Sequence, residues 1–276
     1  MTTAPAPDMP GARDPRDLQI FGEPERSDQP ARPGHEGKGV INVVHLYPRE
    51  MSIYGDLGNT RCLAARIRRH GYVPVVRQHH PGDTIPADTH LVVGGGGQDS
   101  GQVRIGEDLA ANADRLRGLA AEGVPMLMVC GMYQLFGRHF VTVGGATVPG
   151  LGIFDLETLG GATRMIGPVV LDTEFGQIVG YENHSGATQL ASGARPLGRV
   201  QHGHGNNGQD GFEGAISGHV IGTYLHGPVL PANPRLADAL IGWAAQAATG
   251  RPFEPAAIDD TTADRARQTQ ISRLLG

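Results

Sequence analysis

The chain has 276 residues and a formal charge of −5, enough length for one large α/β domain or two small ones, and no basic footprint for nucleic acid. Its two cysteines, Cys62 and Cys130, offer neither a disulfide framework nor a CxxC metal pattern, which fits a reducing compartment. No apolar run reaches membrane-spanning length and the N-terminus lacks a signal-peptide core, so a cytoplasmic protein is expected.

Residues 1–38 are crowded with Pro, Gly and charge and hold few apolar residues, which predicts a disordered extension. From Val40 the pattern alternates: strand Val40–Leu46, helix near Gly58–His70, strand Val73–Arg77, strand His90–Val93, helix near Glu107–Ala121, then a strand ending at Cys130. Such alternation predicts a single α/β domain with a mostly parallel sheet and helices on both faces. Ligands of such sheets bind beyond the carboxyl ends of the strands. Three segments fall there: the Pro48–Asp56 loop, Gly94-Gly95-Gly96-Gly97-Gln98-Asp99, and Cys130.

The run Val124–Val129 stops at Cys130 and turns through Gly131 into a helical pattern at Tyr133–Phe136. That arrangement presents a thiol at a helix N-terminus, where the dipole and free N–H groups favour negative charge. A buried structural cysteine has the same local sequence, and this segment alone does not separate the two. The Gly94–Gly97 loop permits close backbone approach to a ligand or an unusual turn. It is not a Walker loop, because the chain's one lysine is Lys38 and none follows these glycines.

Strand-like runs continue at Gly167–Asp172, Gln177–Tyr181 and His219–Leu225, the last leading into His226-Gly227-Pro228. A histidine delivered at a strand end can hold or remove a thiol proton near neutral pH, so Cys130 and His226 form a candidate nucleophile and base. Two close pairs, His79-His80 and His202-Gly203-His204, have no nearby cysteine or carboxylate arranged for a closed site, and no metal is expected. Cys62 sits in a helical pattern and reads as core. Residues 261–276 could form a short helix that packs on the domain or on a partner.

Cys130-Gly131-Met132-Tyr133-Gln134, Gly94–Gln98, Tyr181-Glu182-Asn183-His184-Ser185-Gly186 and Gly222-Thr223-Tyr224-Leu225-His226-Gly227-Pro228 together resemble class I glutamine amidotransferases of the cobyric acid synthase type. With His45-Leu46-Tyr47-Pro48 and Tyr54-Gly55-Asp56-Leu57-Gly58-Asn59, the pattern is most similar to the free-standing subfamily GatD, the glutaminase subunit of lipid II isoglutaminyl synthase. The resemblance implies a flavodoxin-like glutaminase domain over residues 40–249, with 250–276 as a tail.

It also implies roles. Cys130 would attack the amide of L-glutamine, and His226 would protonate the ammonia and activate water. The N–H of Gly131, with one from the glycine loop at Gly96 or Gly97, would hold the oxyanion. Gln134 would lie beside the substrate, and Arg164 would grip its α-carboxylate, although Arg164 read by itself is equally a solvated surface charge. No cofactor is implied in this chain. ATP and magnesium belong to a separate Mur ligase-like (MurT-type) subunit, which would use the ammonia to amidate the D-glutamate of lipid II in a heterodimer.

Two departures from the family pattern stand out. Met132 replaces a second glycine after the cysteine, and Pro228 occupies the position where many class I members carry a glutamate that orients the histidine. A Cys–His pair can work without an orienting carboxylate, or the carboxylate comes from elsewhere, and the partner is the expected source. Alternative readings are a cobyrinate- or cobyric acid-type glutaminase, another cysteine hydrolase on the same scaffold, or a non-catalytic binding or regulatory relative.

Overall fold

The computed structural model describes residues 37–276. The expected disordered extension lies outside the described residues except for its last two, where Lys38 donates its N–H to Gly71 O and its ammonium to Glu254 O.

The first half builds β1 (Val40–Leu46), α1 (Leu57–Arg69), β2 (Val73–His79), β3 (Leu91–Gly94), α2 (Asp99–Ala111), α3 (Ala113–Ala121), β4 (Met126–Val129) and α4 (Gly131–Leu135). The helix expected near Glu107–Ala121 begins earlier, at Asp99, and breaks at Asn112, whose side-chain amide folds back onto the Asp108 carbonyl. Next come β5 (His139–Val141), β6 (Thr147–Pro149), β7 (Leu156–Thr173), β8 (Gly176–Leu190), β9 (Gly198–His202), β10 (Phe212–Glu213), β11 (Ala215–Ser217), β12 (Val220–Thr223) and β13 (Leu225–His226). Helices α5 (Val229–Ala232), α6 (Pro234–Thr249) and α7 (Thr261–Leu275) close the chain.

Six strands form a sheet in the order β11-β12-β4-β3-β1-β2, all parallel except the edge strand β11. This is the flavodoxin-like order, in which successive connections leave β1 in opposite directions. Every residue of β3 and β4 is buried, which accounts for their unbroken apolar sequence. Helix α1 packs on β2 and α6, and α6 on β1 and β3, while α2 packs on α4 and α4 on β4 and β12.

The second sheet is larger than the short apolar runs of the sequence suggested. Its core is the antiparallel hairpin of β7 and β8, closed by a tight turn at Gly176 (φ +89°) and interrupted by a bulge between Gly160 and Met165. After Thr223 the chain leaves the parallel sheet, and β13 pairs with β8 through Leu225–Glu182 and His226–Tyr181. His226 therefore sits where the two sheets meet.

The tail packs on the domain. Ile271 of α7 is buried against Val170 and Val179, and Arg66 of α1 pairs with both Asp238 of α6 and Asp260 at the start of α7.

Candidate active site

Cys130 occupies the turn between β4 and α4 with φ 51° and ψ −106°, a conformation rare for a non-glycine residue. Three features hold it there: its N–H donates to Thr223 O at 2.8 Å, its carbonyl accepts from Gln134 N–H at 3.0 Å, and β4 is clamped between β3 and β12. This is a sharp strand-to-helix elbow, the local geometry that exposes a nucleophile at the end of a sheet. Helix α4 is only five residues long, so its dipole is small.

His226 is buried beside Cys130, 96 residues away in sequence, because β13 follows directly on β12, the neighbour of β4. Its Nδ1 lies 2.9 and 3.1 Å from the two carboxylate oxygens of Asp56, itself almost wholly buried. Nε2 has no hydrogen-bond partner among the described residues, and Cys130 is the nearby group that, with Asp56, favours charge on the ring. Burial opposes charge on the ring, but the hydrogen bond to Asp56 and the interaction with Cys130 outweigh it and raise His226 to about 10. That balance favours the charged ring.

Asp56 corrects the expectation that a partner must supply the missing carboxylate. The acid comes from the loop after β1, and Pro228, at the position of the family's glutamate, instead packs against Gly58 and starts α5. The signal was present in the sequence, since Asp56 closes one of the loops at the carboxyl ends of the strands.

The glycine loop is narrower in purpose than expected. A β-carbon on Gly96 would come within 2.7 Å of the His226 ring and 3.1 Å of the Cys130 β-carbon, so the loop is glycine because the site leaves no room. Gly96 cannot donate to an oxyanion, because its N–H is committed to Asp56 Oδ2 at 2.7 Å. Gly97 N lies 3.1 Å from where a β-carbon on Gly131 would stand, which brings the two remaining candidate donors, Gly97 and Gly131, side by side. Met132 does not intrude on the cleft. It is buried beneath Gly94, whose β-carbon would meet the Met132 side chain at 2.9 Å.

Cys130, Gly97, Gln134 and Arg164 line one cleft of about 390 Å³, together with Tyr54, Gln102 and Asn183. Arg164 projects from the bulge in β7; its Nε donates to Asn183 Oδ1 at 2.7 Å and its Nη2 to Tyr54 Oη at 3.1 Å. Gln134 is fixed at both ends, accepting from Gln102 Nε2 at 2.7 Å and donating to Tyr224 Oη at 3.1 Å. Gln102 was not singled out in the sequence, and nothing in its neighbourhood there distinguishes it from another helical glutamine.

The histidine pairs have carboxylates nearby in space. His79 Nε2 lies 2.9 Å from Asp108, and His204 Nδ1 lies 2.7 Å from Glu182. These are hydrogen-bonded pairs, and no group of three or more metal-ligating side chains occurs among the described residues. No helix among them is long and apolar enough to cross a membrane.

A flavodoxin-like sheet with a cysteine elbow, a histidine and a carboxylate at its carboxyl edge defines the class I amidotransferase type of enzyme. Residues 42–234 match the CobB/CobQ-like glutamine amidotransferase domain, and the chain belongs to that family. It is 34% identical over 235 residues to the lipid II isoglutaminyl synthase (glutamine-hydrolyzing) subunit GatD of Staphylococcus aureus, covering 84% of this chain and 96% of that one. The same-named subunit of Streptococcus pneumoniae is 34% identical over 226 residues, covering 80% and 86%. Cobyric acid synthase of Sphingopyxis alaskensis is 34% identical over 210 residues, which are 71% of this chain and 40% of that protein. Among solved structures, PurLQS from Thermotoga maritima superposes with a TM-score of 0.51 at 16% identity, covering 74% of this chain and 98% of that one. The fold and the enzyme class expected from the sequence are therefore those of the protein.

Proposed function

We propose that this chain is the glutamine-hydrolysing subunit of a lipid II isoglutaminyl synthase. The Cys130 thiolate attacks the side-chain amide carbon of L-glutamine, and Gly97 and Gly131 N–H groups stabilise the oxyanion. Protonated His226 gives its proton to the departing nitrogen, ammonia leaves, and a thioester remains on Cys130. Water, deprotonated by His226, then hydrolyses the thioester to glutamate and expels the Cys130 thiolate beside the reprotonated histidine. Arg164 binds the α-carboxylate.

The observation that carries this reading is Cys130 lining one cleft with Arg164 while His226 and Asp56, hydrogen-bonded to each other, are buried beside it. Its pathway assignment draws on the two GatD relatives, which the chain matches over 96% and 86% of their length, against 40% for the cobyric acid synthase. The GatD relatives are named as subunits, and on this reading activation of the acceptor carboxylate by ATP and magnesium falls to a Mur ligase-like partner in a heterodimer. Ammonia is mostly protonated near neutral pH, which favours a sheltered route between the two subunits.

The test is amidation of lipid II by the chain co-purified with a Mur ligase-like protein. ATP-dependent amidation should run on glutamine or on ammonium salts, and Cys130→Ala should abolish only the glutamine-driven reaction. A wild-type complex that uses ammonium but never glutamine would defeat the proposal.

A further inference from the structure

The loop between β1 and α1 supports the catalytic histidine twice. Asp56 meets Nδ1 of His226, and the Tyr54 ring packs edge-on against the same imidazole, with centroids 5.0 Å apart and planes at 75°. Both side chains are aimed by two successive left-handed residues, Tyr54 (φ 54°) and Gly55 (φ 87°). A bulky side chain rarely adopts such a φ, and it persists where surrounding contacts impose it. Here the Ile53 N–H donates to Gly96 O at 3.1 Å and the Asp56 N–H to Ile53 O at 3.2 Å, which stitches the turn to the glycine loop.

From that position the Tyr54 hydroxyl accepts a hydrogen bond from Arg164 Nη2 at 3.1 Å, on the far side of the cleft. The choice of nitrogen matters. A guanidinium offers a carboxylate two paired edges, Nε with Nη2 or Nη1 with Nη2, and both include Nη2. Any bidentate carboxylate on Arg164 must therefore share or take the donor that now holds Tyr54. Tyr54 and Arg164 are both exposed, so neither is locked by packing.

We propose that Tyr54 is a positioning residue that couples the substrate's α-carboxylate to the catalytic histidine. A carboxylate arriving at Arg164 Nη2 draws on the hydroxyl of the same loop that carries Asp56, so its binding is felt at His226 and appears in turnover as well as in affinity. The proposal deepens, and rests on, the reading of Cys130 as a nucleophile toward glutamine. It gives the enzyme a means of distinguishing glutamine from other primary amides after they have entered the cleft.

The experiment compares ammonia release from L-glutamine and from 4-aminobutanamide, which is glutamine without its α-carboxylate, in the wild-type full chain with its ligase partner, Tyr54→Phe and Asn183→Ala. Wild type should show kcat for 4-aminobutanamide lower than for glutamine by about tenfold or more, the scale of one hydrogen bond to a charged group, beyond any rise in KM. Tyr54→Phe keeps the ring on His226 but removes the tether, and it should bring the two kcat values together by lowering that for glutamine. Asn183→Ala loosens Arg164 without touching the loop, and should raise KM for glutamine while leaving the kcat ratio near that of wild type. Equal kcat values in wild type, or an unchanged ratio in Tyr54→Phe, would overturn the coupling while leaving glutamine hydrolysis intact. Absence of Cys130-dependent ammonia release from glutamine in wild type would instead remove the underlying reading, and the coupling with it.

Discussion

Asp56 and His226 stand 170 residues apart in the chain, yet Oδ1 of one lies 2.9 Å from Nδ1 of the other, with both side chains almost wholly buried. Asp56 Oδ2 also accepts the Gly96 N–H, so the carboxylate fixes the histidine and the glycine loop together. A carboxylate behind a histidine sets its tautomer and stabilises its charged form, as in hydrolytic triads.

Asp56→Asn should lower kcat/KM for glutamine by about 10²-fold, within the usual range of an acid–base contribution. It should also move the alkaline limb of the pH profile. His226 is raised to about 10, so its proton is available to the leaving nitrogen below that pH and is lost as pH rises through it. Removing the carboxylate's charge should shift that loss to lower pH. A pH profile of kcat/KM in both proteins checks this, and an unmoved alkaline limb would show that Asp56 does not support the charged ring.

The elbow at Cys130 yields a prediction about stability. Cys130→Ala and Cys130→Gly should both lose glutamine hydrolysis, but the glycine variant should be the more stable by about 1 kcal/mol, because φ 51° is strained for alanine and relaxed for glycine. Thermal unfolding of the two variants makes the comparison. If the alanine variant melts higher, the strain is small and the cavity left by the missing β-carbon dominates.

How much of this was legible in the sequence depended on whether partners were local. Strand β1 emerges over Val40–Leu46 as read, since a buried parallel strand is a continuous apolar run. Cys130 and His226 were legible because each ends such a run. The hairpin of β7 and β8 was mostly missed: Gly160, Gly161 and exposed Thr163 and Arg164 break its apolar pattern, and pairing with the neighbouring strand holds it extended. The role of Asp56 was not legible for a related reason. Its tie to His226 crosses from the end of β1 to the end of β13, and no local spacing records that distance. The split of α2 from α3 at Asn112 turns on one side-chain hydrogen bond, which periodicity does not register.

Gln102 offers a test of substrate binding. Its Nε2 holds Gln134, while its Oε1 is buried without a partner among the described residues and the side chain lines the cleft. An orphaned buried acceptor in a binding cleft is suited to an N–H of the substrate. Gln102→Met preserves bulk but removes both functions, and should raise KM for glutamine by about tenfold with a smaller change in kcat. Steady-state kinetics decide it; an unchanged KM would mean that Oε1 takes no substrate hydrogen.

Glu213 supplies the last prediction, because it supports the crossover that carries His226 from one sheet to the other. Its carboxylate accepts the Tyr224 N–H at 2.6 Å and the Thr223 hydroxyl at 3.1 and 3.0 Å, filling the break between β12 and β13. Complete burial pushes it up to about 8 despite these bonds, and the charge of Glu182 adds to the rise. Since the folded state raises this acid above its unfolded value, the stability contributed by the neutral form is present below the ordinary carboxylate range and is lost as pH rises through about 8. His226 also loses stability toward alkaline pH, over a higher window, so wild type by itself cannot isolate the effect. Glu213→Gln can, because it remains neutral throughout. The fall in Tm between about pH 5 and about pH 9 should be smaller in Glu213→Gln than in wild type, and parallel curves would show that Glu213 ionises in the folded protein as an ordinary carboxylate does.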